Sequence, residues 1–428
     1  PQCWRYRLDS AKLSYPGSYS GISKDRYPRH VGRNLFEKFE PFRTLPYSNK
    51  TKPVALPPGR AKLSTKPAPK KAMSALPPIA DISTSEVIMA LPLGRLTRER
   101  PESEDTMLKT ALCEVLGIEV PIILAAMGGT ASSGEFAAAV SNQGGLGSIG
   151  SLFRSTAAVT RDIDVARELT NRNFAVNHIP PTLDADAFRY TLAARPAVIS
   201  FALGDPGDLV RQAHDIGAKV MVQVTTVAQA IEAAERGVDV IIAQGGEAGG
   251  YGGSVSTMTL VPQVVDAVSP IPVVAAGGIF DGRGIAAALM LGAVGVNLGT
   301  RFLASQEAPI ADEWKHAIAA AQSEDAVKVD VLNDIQPLPG TVGYGTVLRS
   351  LHTPFIDEWS TKREEARRLR ERLWADITAR AQAGRRHETL LTAGQTAGGI
   401  REVLPVAEIM RQLIAETKMA LSRAPKPN

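Results

Sequence analysis

From Leu116 onward the chain alternates between two patterns. Short, β-branched apolar runs fall at 122–125, 146–149, 174–176, 197–200, 219–224, 238–243, 272–275 and 294–298. Runs of this length and type read as strands covered on both faces, as in a parallel sheet. Between them, at 134–141, 208–216, 227–236 and 282–291, apolar residues recur at helical spacing. Eight strands, each followed by a helix, over about 200 residues fit an α/β fold of the (β/α)8 TIM-barrel type. A doubly wound open sheet is the competing arrangement, because alternation alone does not establish closure. Further along, Trp359, Ala366, Leu369, Leu373 and Ile377 mark a charged helix, and Val406, Ile409, Met410, Leu413 and Ile414 mark the apolar face of a last one behind Pro405. The pattern divides the chain into a barrel at 107–325, a small helical lid at 326–384 and a segment at 385–428 that returns to the barrel.

Residues 1–106 lack this periodicity and hold 14 of the chain's 29 prolines. Such a stretch buries too little apolar surface to offset its ordering entropy, so it is expected to be disordered, with at most a helical turn at 88–91. It carries 19 Lys/Arg against 10 Asp/Glu, leaving 29 against 34 for residues 107–428 out of totals of 48 and 44. The net charge of +4 thus belongs to this extension, and the barrel offers no electrostatic case for nucleic acid. Met107 directly precedes the patterned region and is a candidate for the true start. Cys3 and Cys113 form neither a disulfide framework nor a metal-ligand spacing, which points to a reducing cytoplasm. No apolar run reaches the roughly 18 residues of a membrane span. No metal site and no serine or cysteine nucleophile elbow is expected.

The chemistry concentrates where strands are expected to end. The sixth runs into Ala243-Gln244-Gly245-Gly246-Glu247-Ala248-Gly249-Gly250-Tyr251-Gly252-Gly253, whose glycines let backbone approach a flat ligand. The letters of a dinucleotide fingerprint, Gly145 to Gly150, lie across the second strand instead of opening a helix, so they are rejected as a nicotinamide site and read as thinning that strand. A better phosphate cradle is Gly277 and Gly278 after the seventh strand with Gly299 and Thr300 after the eighth, since barrels often bind phosphate on those two loops. Ala126, Met127 and Gly128 follow the first strand, Asn177 and His178 end the third, and Gln223 sits on the fifth. A methionine can press on an aromatic ring system, and amides both donate and accept hydrogen bonds.

The glycine loop resembles the signature of the FMN-dependent nitronate monooxygenases, a Gly-Glu-Ala-Gly-Gly loop followed by a histidine. Here Tyr251 stands where that family has the histidine. The resemblance spans about residues 107–425 and implies FMN as cofactor. It implies flavin contacts from Met127, Asn177, Gln223, Gln244 and Gly249, with Gly250 beside them, and from Gln395 in the returning segment Thr392–Gly398. It further implies a small-molecule substrate, an alkyl nitronate, oxidised with O2 to a carbonyl compound and nitrite. Tyr251 would donate a hydrogen bond to a nitronate oxygen, because an unperturbed phenol titrates near pH 10. His178 is the candidate for the missing base. Two other functions remain open: an NAD(P)H-dependent flavin reductase of enoyl thioesters or quinones, and a barrel that binds flavin without turnover. Neither a membrane partner nor a nucleic-acid partner is implied, and the oligomeric state is open.

Overall fold

The computed structural model describes residues 108–338 and 345–423. The extension 1–106, the turn expected at 88–91 and Met107 lie outside the described residues.

The strands, in chain order, are β1 (Ile122–Leu124), β2 (Gly147–Gly150), β3 (Phe174–His178), β4 (Val198–Phe201), β5 (Lys219–Val224), β6 (Val240–Gln244), β7 (Gly250–Gly252), β8 (Val273–Ala276), β9 (Gly295–Leu298), β10 (Ala326–Lys328), β11 (Val347–Leu351) and β12 (Leu391–Thr392). Eight of them form one parallel sheet in the order β1-β9-β8-β6-β5-β4-β3-β2. The ring closes through Leu146. Its carbonyl accepts from the Leu124 N–H at 2.9 Å, and its own N–H donates to Ile122 at 3.0 Å. That pair of bonds settles the choice between a barrel and an open sheet. Each run expected as a strand is one.

Side chains alternate across each strand, so every strand feeds two cores. Val220, Val222 and Val224 of β5 face the helices, whereas Met221 faces the barrel axis. With Ile123, Leu146, Val198, Val240, Ile242 and Val274, Met221 forms an apolar plug inside the barrel. The plug leaves the carboxyl ends of the strands for chemistry. Cys113 is buried in the same cluster, as a small apolar residue would be. The glycines of β2 are there for space, since a Cβ at Gly147 would stand 1.9 Å from the Ala137 carbonyl oxygen. This is the close backbone approach expected of them, and no helix opens on the motif.

The last helix, Val406–Ser422, buries Val406, Ile409, Met410 and Leu413 against the barrel, each contributing roughly 1.5–3 kcal/mol relative to exposure. Glu416 on the same helix accepts from the Gly282 N–H at 2.9 Å, at the start of the helix Gly282–Met290. The region expected as a helical lid holds helices Asp330–Ile335, Pro354–Thr361, Arg363–Arg368 and Arg370–Gln382. The single charged helix of the sequence pattern is thus three, broken at Lys362 and Leu369, where ψ is 41° and 10°. The breaks let Ile356, Ala366, Leu373 and Ile377 share one cluster. The region also contains strand. Here β10 and β11 pair antiparallel, β12 of the returning segment joins β11, and β7 adds to the sheet by pairing with β11, Tyr251 opposite Leu348. Among the described residues, no helix is long and apolar enough to cross a membrane.

Candidate active site

A cavity of about 190 Å3 lies at the carboxyl ends of the barrel strands. Its floor follows from strand parity. Ser148, Asn177, Ser200, Gln223, Gln244 and Asn297 lie among its lining, contributed by β2 to β6 and β9. All are neutral hydrogen-bonding groups, and Asn177 donates to the Ser200 hydroxyl at 3.0 Å. Gln244 Oε1 and Trp314 Nε1 are buried without a protein partner. Buried polar atoms are normally paired, so two orphans in one cavity wall mark a place for a polar ligand.

One end of the cavity is a cradle of main chain. Gly277 and Gly278 follow β8 with φ of 91° and 72°, a backbone that side chains other than glycine rarely adopt. Gly299 and Thr300 follow β9 beside them. Among the described residues no carbonyl accepts from the N–H groups of Gly277, Gly278, Gly299 or Thr300. The Thr300 hydroxyl accepts from the Gly394 N–H at 2.9 Å, which ties the returning segment to the cradle. Free N–H groups converging on a space without side chains suit an anion such as phosphate.

The glycine loop lies against the cradle, where a Cβ at Gly277 would stand 2.9 Å from the Gly245 carbonyl oxygen, and the loop's one carboxylate is used to hold it in place. Glu247 accepts from the Thr257 N–H at 2.9 Å, at the start of the helix Thr257–Val268, where a negative charge meets the favourable end of the helix dipole. Two cations of the small sheet grip the loop's carbonyls. Arg349 donates to Gly246 at 2.9 Å, and Lys328 donates to Gly252 at 2.8 Å and to Val347 at 3.1 Å. Burial, together with the neighbouring Arg349 charge, pushes the Lys328 ammonium down to about 8. Held this way, Tyr251 lines the cavity and is 7% exposed. Burial drives its phenol up to about 12, against the opposing pull of Arg386.

Of the residues singled out in the sequence, the cavity wall contains Ala126, Met127, Gly128, Asn177, Gln223, Gln244, Gly249, Gly250, Tyr251, Gly277, Gly278, Gly299 and Thr300. It does not contain His178. With Asn177 facing the axis, the next residue on β3 must face outward, and His178 is fully buried against the helix Ala185–Ala194. Its Nε2 lies 3.0 Å from the Thr191 hydroxyl, and its ring meets Phe188 edge-on at 5.1 Å. Burial holds the imidazole down at about 4, so it is neutral, and it is not among the residues that line the cavity. Gln395 is not in the wall either. Its main-chain N–H donates to the Glu247 carbonyl at 3.0 Å, and its neighbours Ala393 and Thr396 are the lining residues. The sequence reading missed Arg386, Trp374, Trp314 and Asn297, which also line the cavity. Asn297 was legible, as an amide near the end of an apolar strand with the right parity. Arg386 carried no such signal, because nothing in its local sequence sets it apart from the other arginines around it.

The sequence model of the nitronate monooxygenase family matches residues 109–194 and 184–416. A probable nitronate monooxygenase from Staphylococcus aureus is 33% identical over 299 residues, 59% of this chain and 81% of that protein. The (3aS,4S,5R,7aS)-5-hydroxy-7a-methyl-1-oxo-octahydro-1H-indene-4-carboxyl-CoA dehydrogenase of Rhodococcus jostii is 31% identical over 340 residues, 72% of this chain and 96% of that one. Among solved structures, FabK from Thermotoga maritima superposes with a TM-score of 0.66 at 33% identity, over 74% of this chain and 98% of its own.

Proposed function

The chain belongs to the nitronate monooxygenase family, a family of flavin-dependent oxidoreductases, and from there we propose that it binds FMN and oxidises alkyl nitronates with O2 to a carbonyl compound and nitrite. The observation that carries this reading is one cavity whose wall holds both unpaired main-chain N–H groups and a buried phenol. The residues fit the cofactor. Gly277, Gly278, Gly299 and Thr300 would hold its phosphate, and the orphaned Gln244 Oε1, with Gln223 and Asn177, would meet the polar edge of its ring system. Met127 would pack on the ring. When bound, the flavin supplies the electron transfer that links substrate oxidation to O2.

The protein's own part is to bind, orient and keep a proton in place. Tyr251 stays protonated across the physiological range, because its phenol titrates at about 12. It therefore donates a hydrogen bond to a nitronate oxygen and does not take a proton. With His178 turned into the helix layer, no described residue of the cavity wall is a base at neutral pH, which restricts the enzyme to preformed nitronates. Leu152, Leu203, Leu332 and Leu348 on the lid side exclude water from the reacting group.

A second reading, oxidoreduction of a thioester, is favoured by the likeness that runs over 96% of a dehydrogenase named for a CoA ester. A phenol donor suits a thioester carbonyl as well as a nitronate. The visible spectrum of the FMN-loaded protein under anaerobic conditions separates the two. Bleaching by an alkyl nitronate is the expected result. Bleaching by NAD(P)H alone would move the protein to the reductases, and bleaching by neither would leave a flavin-binding barrel without turnover.

A further inference from the structure

The lid side of the cavity carries one charge. Arg386 is the only charged side chain in the wall among the described residues, and no carboxylate accompanies it. It stands on the short turn Arg386–Glu388 behind the helix Arg370–Gln382. That turn is tied down by its neighbours, since Glu388 pairs with Arg380 at 2.5 Å and with Arg385 at 3.2 Å. Arg386 itself makes no ion pair with a described residue, and its Nε is buried without a partner. From the barrel side, Gly129 leaves the space that the guanidinium enters, as a Cβ there would lie 3.2 Å from Nη1. The charge is close enough to act on the Tyr251 phenol.

A guanidinium that has shed water without gaining a carboxylate is unfavourable until a ligand brings the anion. Its fork also has a geometric preference, for a planar group with two oxygens. The rest of this wall is apolar. Phe153 meets Trp374 with ring centroids 5.3 Å apart and planes tilted by 54°, and Leu152 and Trp374 pack against the cluster that holds Leu203, Leu332 and Leu348. Phe153 and Leu203 hold φ of 58° and 60°, a left-handed backbone that non-glycine residues keep only where the surroundings impose it.

We propose that Arg386 is the anion-binding residue of this cavity, and that the site takes a substrate with one planar anionic head on an apolar body. The inference rests on the functional reading above only in taking this cavity as the substrate site. It narrows that reading, because a nitronate and a carboxylate meet the requirement and a neutral nitroalkane or amide does not.

The test is calorimetric titration of the FMN-loaded full chain with hexanoate and with hexanamide. Loading with FMN fills the phosphate cradle, so the anion read out is the one on the lid side. Hexanoate is expected to bind ~10–100-fold more tightly than the amide, the range of a charge-assisted hydrogen bond. Arg386→Met should remove that preference, and Arg386→Lys should keep part of it, because the charge stays and the fork is lost. Affinity should also rise roughly fourfold per methylene from butanoate to heptanoate. Equal binding of acid and amide to the wild-type protein overturns the proposal, as does a preference that survives in Arg386→Met. If Arg386→Met does not load FMN, the comparison of wild type with Arg386→Lys decides, and an identical preference in both overturns it. A flat chain-length series removes the apolar body. A protein that ignores nitronates yet selects hexanoate through Arg386 keeps this assignment and loses the monooxygenase reading. Nitronate turnover with an unchanged KM in Arg386→Met does the reverse.

Discussion

Tyr251 and His178 illustrate how much a single residue's surroundings decide. Both are protonatable groups near the ends of barrel strands, and burial moves their pKa values in opposite directions, the phenol to about 12 and the imidazole to about 4. In each case the neutral form is the one that persists. For Tyr251 this makes a hydrogen-bond donor, so Tyr251→Phe is expected to leave the flavin spectrum intact and to lower kcat/KM for nitronate on the order of 10²-fold, as for loss of one oxyanion donor. Unchanged turnover would remove Tyr251 from the mechanism. For His178 the consequence is stability. An unfolded imidazole takes up its proton near pH 6.5, the folded one only near 4. Between those values the unfolded chain holds more protons, so stability falls as pH drops from 6.5 toward 4, by up to roughly 3 kcal/mol, and is insensitive to this group above 6.5. His178→Gln should flatten that part of a denaturation-versus-pH curve while turnover at pH 7.5 persists. A large loss of turnover would bring His178 back to the site.

At the scale of elements, the loops after β8 and β9 and the loop after β6 are built by different devices. The loop after β8 is pre-shaped by glycine conformation, with φ of 91° and 72° at Gly277 and Gly278, whereas Gly299 after β9 has an ordinary φ of −103°. The third is held from outside, by Lys328 and Arg349 on its carbonyls and by strand pairing between β7 and β11. A Cβ at Gly277 would lie 2.9 Å from the Gly245 carbonyl oxygen and 3.2 Å from Ala248. Gly277→Asp therefore adds strain, crowding and a negative charge at the phosphate cradle. FMN affinity is expected to fall by ~100-fold or more, read as flavin lost on gel filtration. Retention of stoichiometric flavin would place the phosphate elsewhere. The strands were legible because a doubly buried strand is a plain apolar run. The small sheet was not, because β7 is three residues, two of them glycine, and its partner β11 lies nearly a hundred residues later.

For the whole molecule, the barrel is closed by main-chain bonds at Leu146 and braced by the last helix, while the cavity is completed by segments from both ends of the described chain. A ligand that touches so many separate elements should stabilise the fold as a unit. At about 100 times its dissociation constant, FMN should add about 2.7 kcal/mol and raise Tm by several degrees. Gly277→Asp should abolish that shift, read as the difference between flavin-loaded and flavin-free Tm of the same variant, because its strain also lowers the Tm of the flavin-free protein. A thermal shift that FMN leaves unchanged would speak against the cradle as its site.

The sequence by itself determined the strands, their order, the loops at their carboxyl ends and the glycines of the cradle, because burial on two faces and left-handed backbone both leave local marks. It also carried Tyr251, through one departure from a recognisable loop. Closure, parity and the distant wall were decided only in three dimensions. Whether an eighth strand returns to the first is a matter of pairing between segments far apart in sequence, settled here where β9 pairs with β1, Val296 opposite Ile122. Whether Asn177 or its neighbour His178 meets the ligand depends on which side of β3 faces the axis. Arg386 reaches the cavity because the turn that carries it is locked by Arg380, Arg385 and Glu388, and its own charge is left over for a ligand. A residue's type is written in the chain, but its unpaired charge is a property of everything packed around it.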